Sequence, residues 1–86
     1  MRQIRFELQA LSELEDWIKI HPRTASKILD LLQEISKTPF KGKGKPEPLK
    51  HKFKGFWSRR ITDEHRIIYE VSEQYISVVS CKGHYE

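Results

Sequence analysis

The 86-residue chain has little of what marks secreted, membrane-bound or metal-binding proteins. Its single cysteine, Cys81, excludes an intramolecular disulfide, so nothing indicates an oxidising compartment. The N-terminal residues MRQIR lack the apolar run of a signal peptide, and no window approaches the ~20 apolar residues of a membrane span. The four histidines are scattered and lack the spacing of a zinc site. We therefore expect a soluble, cytoplasmic protein with no metal or other cofactor.

The chain is also too short for more than one domain. A protein of this length buries roughly 60–65% of the surface that its unfolded chain exposes. That burial supports one core between a helical layer and a sheet. We therefore treat residues 1–86 as a single domain.

Two amphipathic helices are predicted in the first half of the chain, with a break at His21-Pro22, where proline suits the first turn of the second helix. The first helix starts at about Leu8, and its predicted core stripe consists of Leu8, Leu11, Leu14 and Ile18. The second helix runs to about Lys37, and its stripe consists of Ala25, Ile28, Leu29, Leu32 and Ile35. We expect the two helices to form an antiparallel hairpin.

Stretches rich in β-branched and aromatic residues predict four strands, one before the helices and three after them. They cover residues 3–6, 56–61, 65–71 and 75–81. The order β-α-α-β-β-β predicts an α+β fold, in which a mostly antiparallel four-stranded sheet carries the helix pair on one face. The other face of the sheet is left open for function.

Side-chain alternation sorts the residues of the second strand between these two faces. Trp57 and Ile61 suit the core, and with Tyr69 of the next strand we expect Trp57 to pack against Ile28, Leu29 and Leu32. The open face then receives Phe56, Ser58 and Arg60. Arg59 falls on the core-facing row, and we expect its side chain to reach solvent at the sheet edge.

Positive charge is concentrated in one part of the chain, residues 41–60, which we call the basic segment. It holds eight Lys or Arg residues and one acid, a net charge of +7, whereas residues 1–40 are balanced and residues 61–86 carry −3. Such a segment is typical of a site for a polyanion such as nucleic acid. The alternative is a basic loop that is simply solvated.

The single acid of the basic segment, Glu47, lies between Pro46 and Pro48. The prolines fix two backbone φ angles and favour extended conformations at Lys45 and Glu47. A strip that only binds phosphate groups has no use for such a carboxylate, which favours a catalytic role.

The residues that fit this role are a carboxylate, Glu47, a histidine, His84, and the cations Arg60 and Arg66. Together they can cleave RNA without a metal: a base removes the ribose 2′-OH proton, the oxygen attacks phosphorus, and an acid protonates the departing 5′-oxygen. Cations stabilise the charge that develops on the phosphoryl oxygens. DNA lacks the 2′-OH, so this mechanism selects RNA.

The motifs GKGKPEPLKH, GFWSRRITDEHR and the C-terminal CKGHY resemble the YoeB/Txe group of bacterial toxin–antitoxin toxins, in the RelE-like superfamily. The resemblance implies a fold like that of microbial ribonucleases. It also implies an endoribonuclease, or mRNA interferase, that cleaves mRNA in the ribosomal A site and inhibits translation. The implied partners are a cognate antitoxin of the YefM/Axe type, mRNA and the ribosome, with a homodimer possible and no membrane contact.

The catalytic roles that this resemblance implies fall on matching motif positions. Glu47 of PEP is the general base, His84 of GHY the general acid, and Arg66 of EHR contacts the transition-state phosphate. Tyr85 stacks on or positions a base. Glu86 departs from the family pattern, in which the chain commonly ends at the tyrosine, and it adds negative charge beside His84.

The implied substrate-binding residues are Lys50 and Arg60, which line the anion site, and Glu64, which orients a neighbouring arginine. Two other functions stay open: a ParE-like toxin that acts on a protein without cleaving RNA, and a plain RNA-binding module. A purely binding toxin needs neither Glu47 nor His84. An RNA-binding module would stack bases on Phe53, Phe56 and Trp57.

Overall fold

In a computed structural model of the chain, which describes residues 1–83, two helices pack on one face of a five-stranded sheet. The helices are α1 (Leu8–Ile20) and α2 (Pro22–Lys37). The strands are β1 (Gln3–Phe6), β2 (Glu47–Pro48), β3 (Phe56–Arg60), β4 (Arg66–Val71) and β5 (Tyr75–Ser80). The predicted α+β architecture is confirmed. No helix in the described part of the chain is long and apolar enough to cross a membrane.

The sheet order is β1-β5-β4-β3-β2, with β1 parallel to β5 and the other neighbours antiparallel. The sequence predicted four of these strands and missed β2, which is only two residues long. In β2, Glu47 lies opposite Ser58 and Pro48 opposite Trp57. Periodicity cannot reveal so short a strand, and its proline is tolerated because β2 lies at the sheet edge.

Helix α1 buries a different stripe from the predicted one. Leu8, Leu11 and Ile18 are 84%, 50% and 53% exposed. Leu14 is buried as predicted, and α1 adds Ala10 and Trp17 to the core in place of the other three. Ala10, Leu14 and Trp17 form a second stripe of helical spacing, about a quarter of a turn away around the helix. The second stripe faces the sheet because Trp17 fills more of the core and its indole N–H donates to the Cys81 carbonyl at 2.9 Å.

Helix α2 follows its prediction except at one position. Ala25, Ile28, Leu32 and Ile35 are buried, but Leu29 is 44% exposed and Leu31 takes its place in the core. On the sheet, Tyr69 is fully buried and Trp57 is half-buried against the core. The predicted face for these two aromatic residues is therefore confirmed, without the contribution expected from Leu29.

Arg59 does not reach solvent as predicted: its side chain is completely buried on the core-facing side of β3. Nη1 forms an ion pair with Glu34 of α2 at 2.6 Å, and Nε donates to the Tyr69 hydroxyl at 3.2 Å. The remaining N–H groups donate to the carbonyls of Thr38, Lys41 and Lys43. The five guanidinium donors thus find five acceptors inside the fold, which is why the charge can be buried.

Candidate functional site

The register of the sheet brings three of the predicted site residues to the open face. Glu47 of β2 lies opposite Ser58 of β3, and Arg60, two residues further along β3, lies opposite Arg66 of β4. Directly opposed residues project to the same side of a sheet, as do residues i and i+2 of one strand. Glu47, Arg60 and Arg66 therefore share one face, with the first two exposed and Arg66 half-buried.

Two glycines let the basic segment approach α2 and β3 closely. Gly42 has a φ of 124°, and a Cβ there would lie 1.9 Å from the Glu34 Oε1 atom. Gly44 has a φ of 82°, and its carbonyl accepts a hydrogen bond from the Arg60 N–H at 2.6 Å. Because glycine alone adopts such φ angles at no cost, the glycines before Glu47 tie the loop to the strand that carries Arg60.

The backbone before Glu47 departs from the prediction at one residue. Lys45 has a φ of 50°, in the left-handed region, instead of the extended conformation expected before Pro46. Gly44 is bonded to Arg60, and Glu47 lies opposite Ser58. The loop therefore advances by three residues while β3 advances by only two. The extra residue is absorbed by a local bend, as in a β-bulge. Glu47 itself is extended, as predicted.

Lys50 follows β2 directly and is exposed, next to a single 3₁₀ turn, His51–Phe53. The Leu49 N–H donates to the Phe56 carbonyl, so Lys50 lies beside the start of β3, at the other end of that strand from Arg60. A cation at this position can contact a polyanion that runs along the sheet edge.

Arg66 uses one nitrogen of its guanidinium to hold the turn between β3 and β4. Nη1 donates to the carbonyls of Thr62 at 2.8 Å, His65 at 3.2 Å and Asp63 at 3.3 Å. Nε and Nη2 of Arg66 take no part in these bonds, so the guanidinium can also bind an anion.

Glu64 is exposed in the same turn and forms no ion pair within residues 1–83. Its predicted role in orienting an arginine stays a prediction.

The C-terminal tail is described as far as Gly83, so His84, Tyr85 and Glu86 lie outside the described residues. The carbonyl of Gly83 accepts a hydrogen bond from the Arg66 N–H at 2.8 Å. The chain therefore passes beside Arg66 one residue before His84 in the sequence.

The residues that hold this tail were missed from the sequence. Glu13 Oε1 accepts from the Cys81 N–H at 2.9 Å, and Trp17 donates to the carbonyl of the same residue. His65 Nδ1 accepts from the Gly83 N–H at 2.8 Å. The paired residues are 68, 64 and 18 positions apart in the chain, so no local pattern could reveal the contacts.

Potential metal ligands do not come together in the described part of the chain. No group of three His, Cys, Asp or Glu side chains within residues 1–83 is arranged to hold a metal ion.

The carboxylate of Glu47 shares its face of the sheet with the cations Arg60 and Arg66. A carboxylate in these surroundings can act as a proton acceptor.

Comparison with protein families decides what kind of protein this is. Residues 6–85 match the model for the YoeB-like toxin of bacterial type II toxin–antitoxin systems. The chain belongs to this family. The matched range includes every motif that carried the resemblance, from the basic segment to the tyrosine of the C-terminal CKGHY.

Relatives of this YoeB-like toxin agree with the assignment. Toxin YoeB of Escherichia coli K12 is 49% identical over 69 residues, which cover 80% of this chain and 82% of the relative. The YoeB of a dimer from Staphylococcus aureus is 38% identical, with a TM-score of 0.91 over 98% of each chain. A YoeB chain in a heterotetrameric YoeB–YefM complex from the same species is 37% identical, with a TM-score of 0.89 over 99% of each chain.

The family assignment narrows the functions that the sequence left open. The chain is a toxin of a type II toxin–antitoxin system, which speaks against a plain RNA-binding module. The helices share in the similarity, since the structural matches extend over nearly the whole chain. The competing function is that of a toxin that binds a protein target without cleaving RNA.

Proposed function

We propose that this YoeB-like toxin is a metal-independent endoribonuclease that cleaves mRNA. The observation that carries the proposal is the placement of Glu47 with Arg60 and Arg66 on the open face of the sheet. A carboxylate that shares a face of the sheet with two guanidinium groups suits proton abstraction next to a phosphodiester. A toxin that only binds a protein would need no carboxylate between two prolines at this point.

The proposed reaction transfers two protons and exchanges one bond to phosphorus. Glu47 takes the proton of the ribose 2′-OH, and the resulting oxygen forms a bond to the adjacent phosphorus. The bond from phosphorus to the 5′-oxygen breaks, and His84 donates a proton to that oxygen. The products are a 2′,3′-cyclic phosphate and a free 5′-hydroxyl. A general acid and a general base each raise the rate of a reaction by typically 10²–10⁴-fold.

The proposed cationic roles follow from charge and position. Arg66 stabilises the negative charge of the transition state with the guanidinium donors that the turn leaves unused. Arg60 and Lys50, both exposed, neutralise neighbouring phosphates, and Glu64 orients an arginine. Tyr85 positions a base.

The biological setting is proposed from the family and its relatives. The substrate is mRNA in the ribosomal A site, in the cytoplasm, and cleavage inhibits translation. The inhibitor is a cognate antitoxin comparable to the YefM that binds the Staphylococcus aureus YoeB, and homodimers comparable to those of that species can form. The basic segment favours an acidic antitoxin surface, so its association is expected to weaken with added salt.

Digestion of RNA with and without ribosomes tests the activity. We expect toxin that was treated with a chelator and then freed of it to cleave ribosome-bound mRNA, with products that carry a cyclic phosphate. A purified toxin that binds its antitoxin and blocks growth but leaves mRNA intact in both conditions would identify a ParE-like, non-nuclease toxin instead.

Variants test the assigned roles under single-turnover conditions. Glu47→Gln and His84→Gln are each expected to lower the rate by roughly 10²–10⁴-fold. Glu47→Gln should remove the acidic limb of a bell-shaped pH profile, and His84→Gln should remove the alkaline limb. Arg66→Ala should lower the rate at every pH without moving the limbs, because it transfers no proton. Glu70→Gln is the matched control, since Glu70 is an exposed carboxylate of β4 on the same face as Arg66. Parental rates for both Glu47→Gln and His84→Gln would refute the acid–base assignment.

A further inference from the structure

Gly83 is held by two hydrogen bonds that come from adjacent residues. Its N–H donates to His65 Nδ1 at 2.8 Å, and its carbonyl accepts from the backbone N–H of Arg66 at 2.8 Å. Gly83 has a φ of 76°, so the chain bends here in a conformation that glycine readily adopts. Both polar groups of the peptide backbone at Gly83 are therefore fixed directly before residue 84.

The ring of His65 is itself held in one orientation. It is half-buried and meets the Trp17 ring edge-on, with the centroids 4.9 Å apart and an angle of 81° between the planes. A ring nitrogen that accepts from an N–H carries no proton, so His65 is the neutral tautomer with its proton on Nε2. A residue present only for packing would need no acceptor at this position.

We propose that His65 is a positioning residue for RNA cleavage, which acts through the Gly83 backbone on the placement of the general acid that follows it. This inference rests on the proposed ribonuclease activity. Proton donation requires the acid to lie within hydrogen-bond reach of the departing oxygen. A misplacement of about 1 Å can lower a rate by ~10²-fold, so fixing the residue before His84 has a catalytic effect.

The contact can be tested without any cleavage assay. In the parent protein, NMR should find His65 protonated on Nε2 and the Gly83 amide protected from hydrogen exchange. His65→Phe keeps a ring against Trp17 but removes the acceptor, and should lose that protection. His65→Asn places a carbonyl oxygen near the position of Nδ1 and should retain it. An unprotected Gly83 amide in the parent, or a proton on His65 Nδ1, would overturn the proposal.

Single-turnover cleavage of ribosome-bound mRNA tests the functional consequence. His65→Phe should lower the maximal rate by ~10–10²-fold at an unchanged half-saturating concentration, because orientation and not binding is lost. His65→Asn should recover most of the rate. His21→Phe is the matched control, since exposed His21 also contacts the Trp17 ring, at 6.0 Å, and lies at the break between α1 and α2. A parental rate for His65→Phe would contradict the proposal.

A double-mutant cycle separates positioning from a general structural effect. In the His84→Gln background, His65→Phe should cause no further loss, because the group that His65 positions is already absent. Independent, multiplied losses would show that His65 acts elsewhere and would overturn the proposal. A parent that protects Gly83 but cleaves no RNA would refute the ribonuclease activity and leave the contact itself intact.

The single cysteine reports whether the tail segment stays folded in these variants. Cys81 is fully buried, and burial raises the pKa of its thiol to about 12. It should stay unreactive towards a thiol reagent in His65→Phe, since Glu13 and Trp17 still hold its backbone. If Cys81 becomes reactive in His65→Phe while the rate falls, that loss is due to unfolding and His65→Asn decides the outcome. A low rate in His65→Asn with Cys81 still protected would overturn the proposal.

Discussion

Arg59 and Arg60 are adjacent in β3, but Arg59 is completely buried whereas Arg60 is exposed on the open face of the sheet. The alternation of a β-strand sends the two side chains to opposite faces. On the core side, Arg59 meets Glu34 and the carbonyls of the loop after α2. On the open side, Arg60 lies opposite Arg66, where two like charges are compatible with an anionic ligand.

The difference between the two arginines teaches how to interpret a basic segment. Its net charge of +7 includes Arg59, whose charge is balanced inside the fold by Glu34. That ion pair organises the loop: Glu34 Oε1 also accepts from the Lys43 N–H at 2.6 Å. One cation therefore shapes the segment, and its exposed neighbours remain available to bind an anionic ligand. A count of charges along the sequence cannot distinguish these roles.

The largest expected difference between the two arginines is in stability. Arg59→Ala should lower the free energy of unfolding by about 3–5 kcal/mol, because it removes a completely buried side chain and leaves the Tyr69 hydroxyl and three loop carbonyls without their donor. Arg60→Ala should change it by no more than about 0.5 kcal/mol, as is usual for exposed residues. Denaturant unfolding monitored by tryptophan fluorescence measures both. Equal effects would show that Arg59 is not a structural residue.

The same comparison extends to the aromatic pair at the start of β3. Trp57→Ala should destabilise the fold by about 3 kcal/mol, the lower end of the range for aromatic truncation, because Trp57 is half-buried against the core. Phe56→Ala, on the open face, should have less than half that effect. An unmoved denaturation midpoint for Trp57→Ala would mean that the face assignment of β3 is wrong.

A smaller effect concerns the acid partner of Arg59. The pKa of Glu34 is lowered, chiefly by the N–H of Lys43, and also by the hydrogen bond and charge of Arg59, while desolvation opposes the shift. A lowered folded-state pKa means that the stability from Glu34 is present above the usual value of 4.5 and is lost as the pH falls through the folded-state pKa.

Unfolding titrations between about pH 6 and pH 3 test this dependence. Glu34→Gln should be less stable at the upper end and show a shallower loss of stability on acidification. Glu15→Gln, which alters an exposed carboxylate 3.9 Å from Lys19, should keep the parental slope. A parental slope in Glu34→Gln would show that the Glu34 carboxylate contributes nothing to the pH dependence.

The smallest predicted effect is in the salt dependence of RNA binding. In the Glu47→Gln background, which is expected to slow cleavage, Arg60→Ala should reduce the slope of log binding constant against log salt by about one unit, the value for one lost phosphate contact. Lys37→Ala, an exposed cation at the end of α2 and outside the basic segment, is the control and should leave the slope unchanged. An unchanged slope for Arg60→Ala would remove Arg60 from the proposed anion site.

Much of the fold could be predicted because its signals are local. The bounds of β1, α1 and α2 agree with apolar periodicity and with the break at His21-Pro22. The faces of β3 followed from alternation for every residue, including Arg59. The burial of Arg59 did not, because it requires five acceptors from distant parts of the chain. Helix α1 offered two apolar stripes, and only packing against the sheet selects between them.

The sequence by itself determined the order of the two helices and of four of the five strands, the family and the identity of the candidate site residues, because periodicity and contiguous motifs are properties of neighbouring residues. Only the tertiary structure decided that Glu47 forms a fifth strand, that Arg59 is buried and Arg60 exposed, and that His65 holds Gly83. Each of these depends on hydrogen bonds between residues far apart in the chain. Such partners become neighbours only when the sheet and helices pack together.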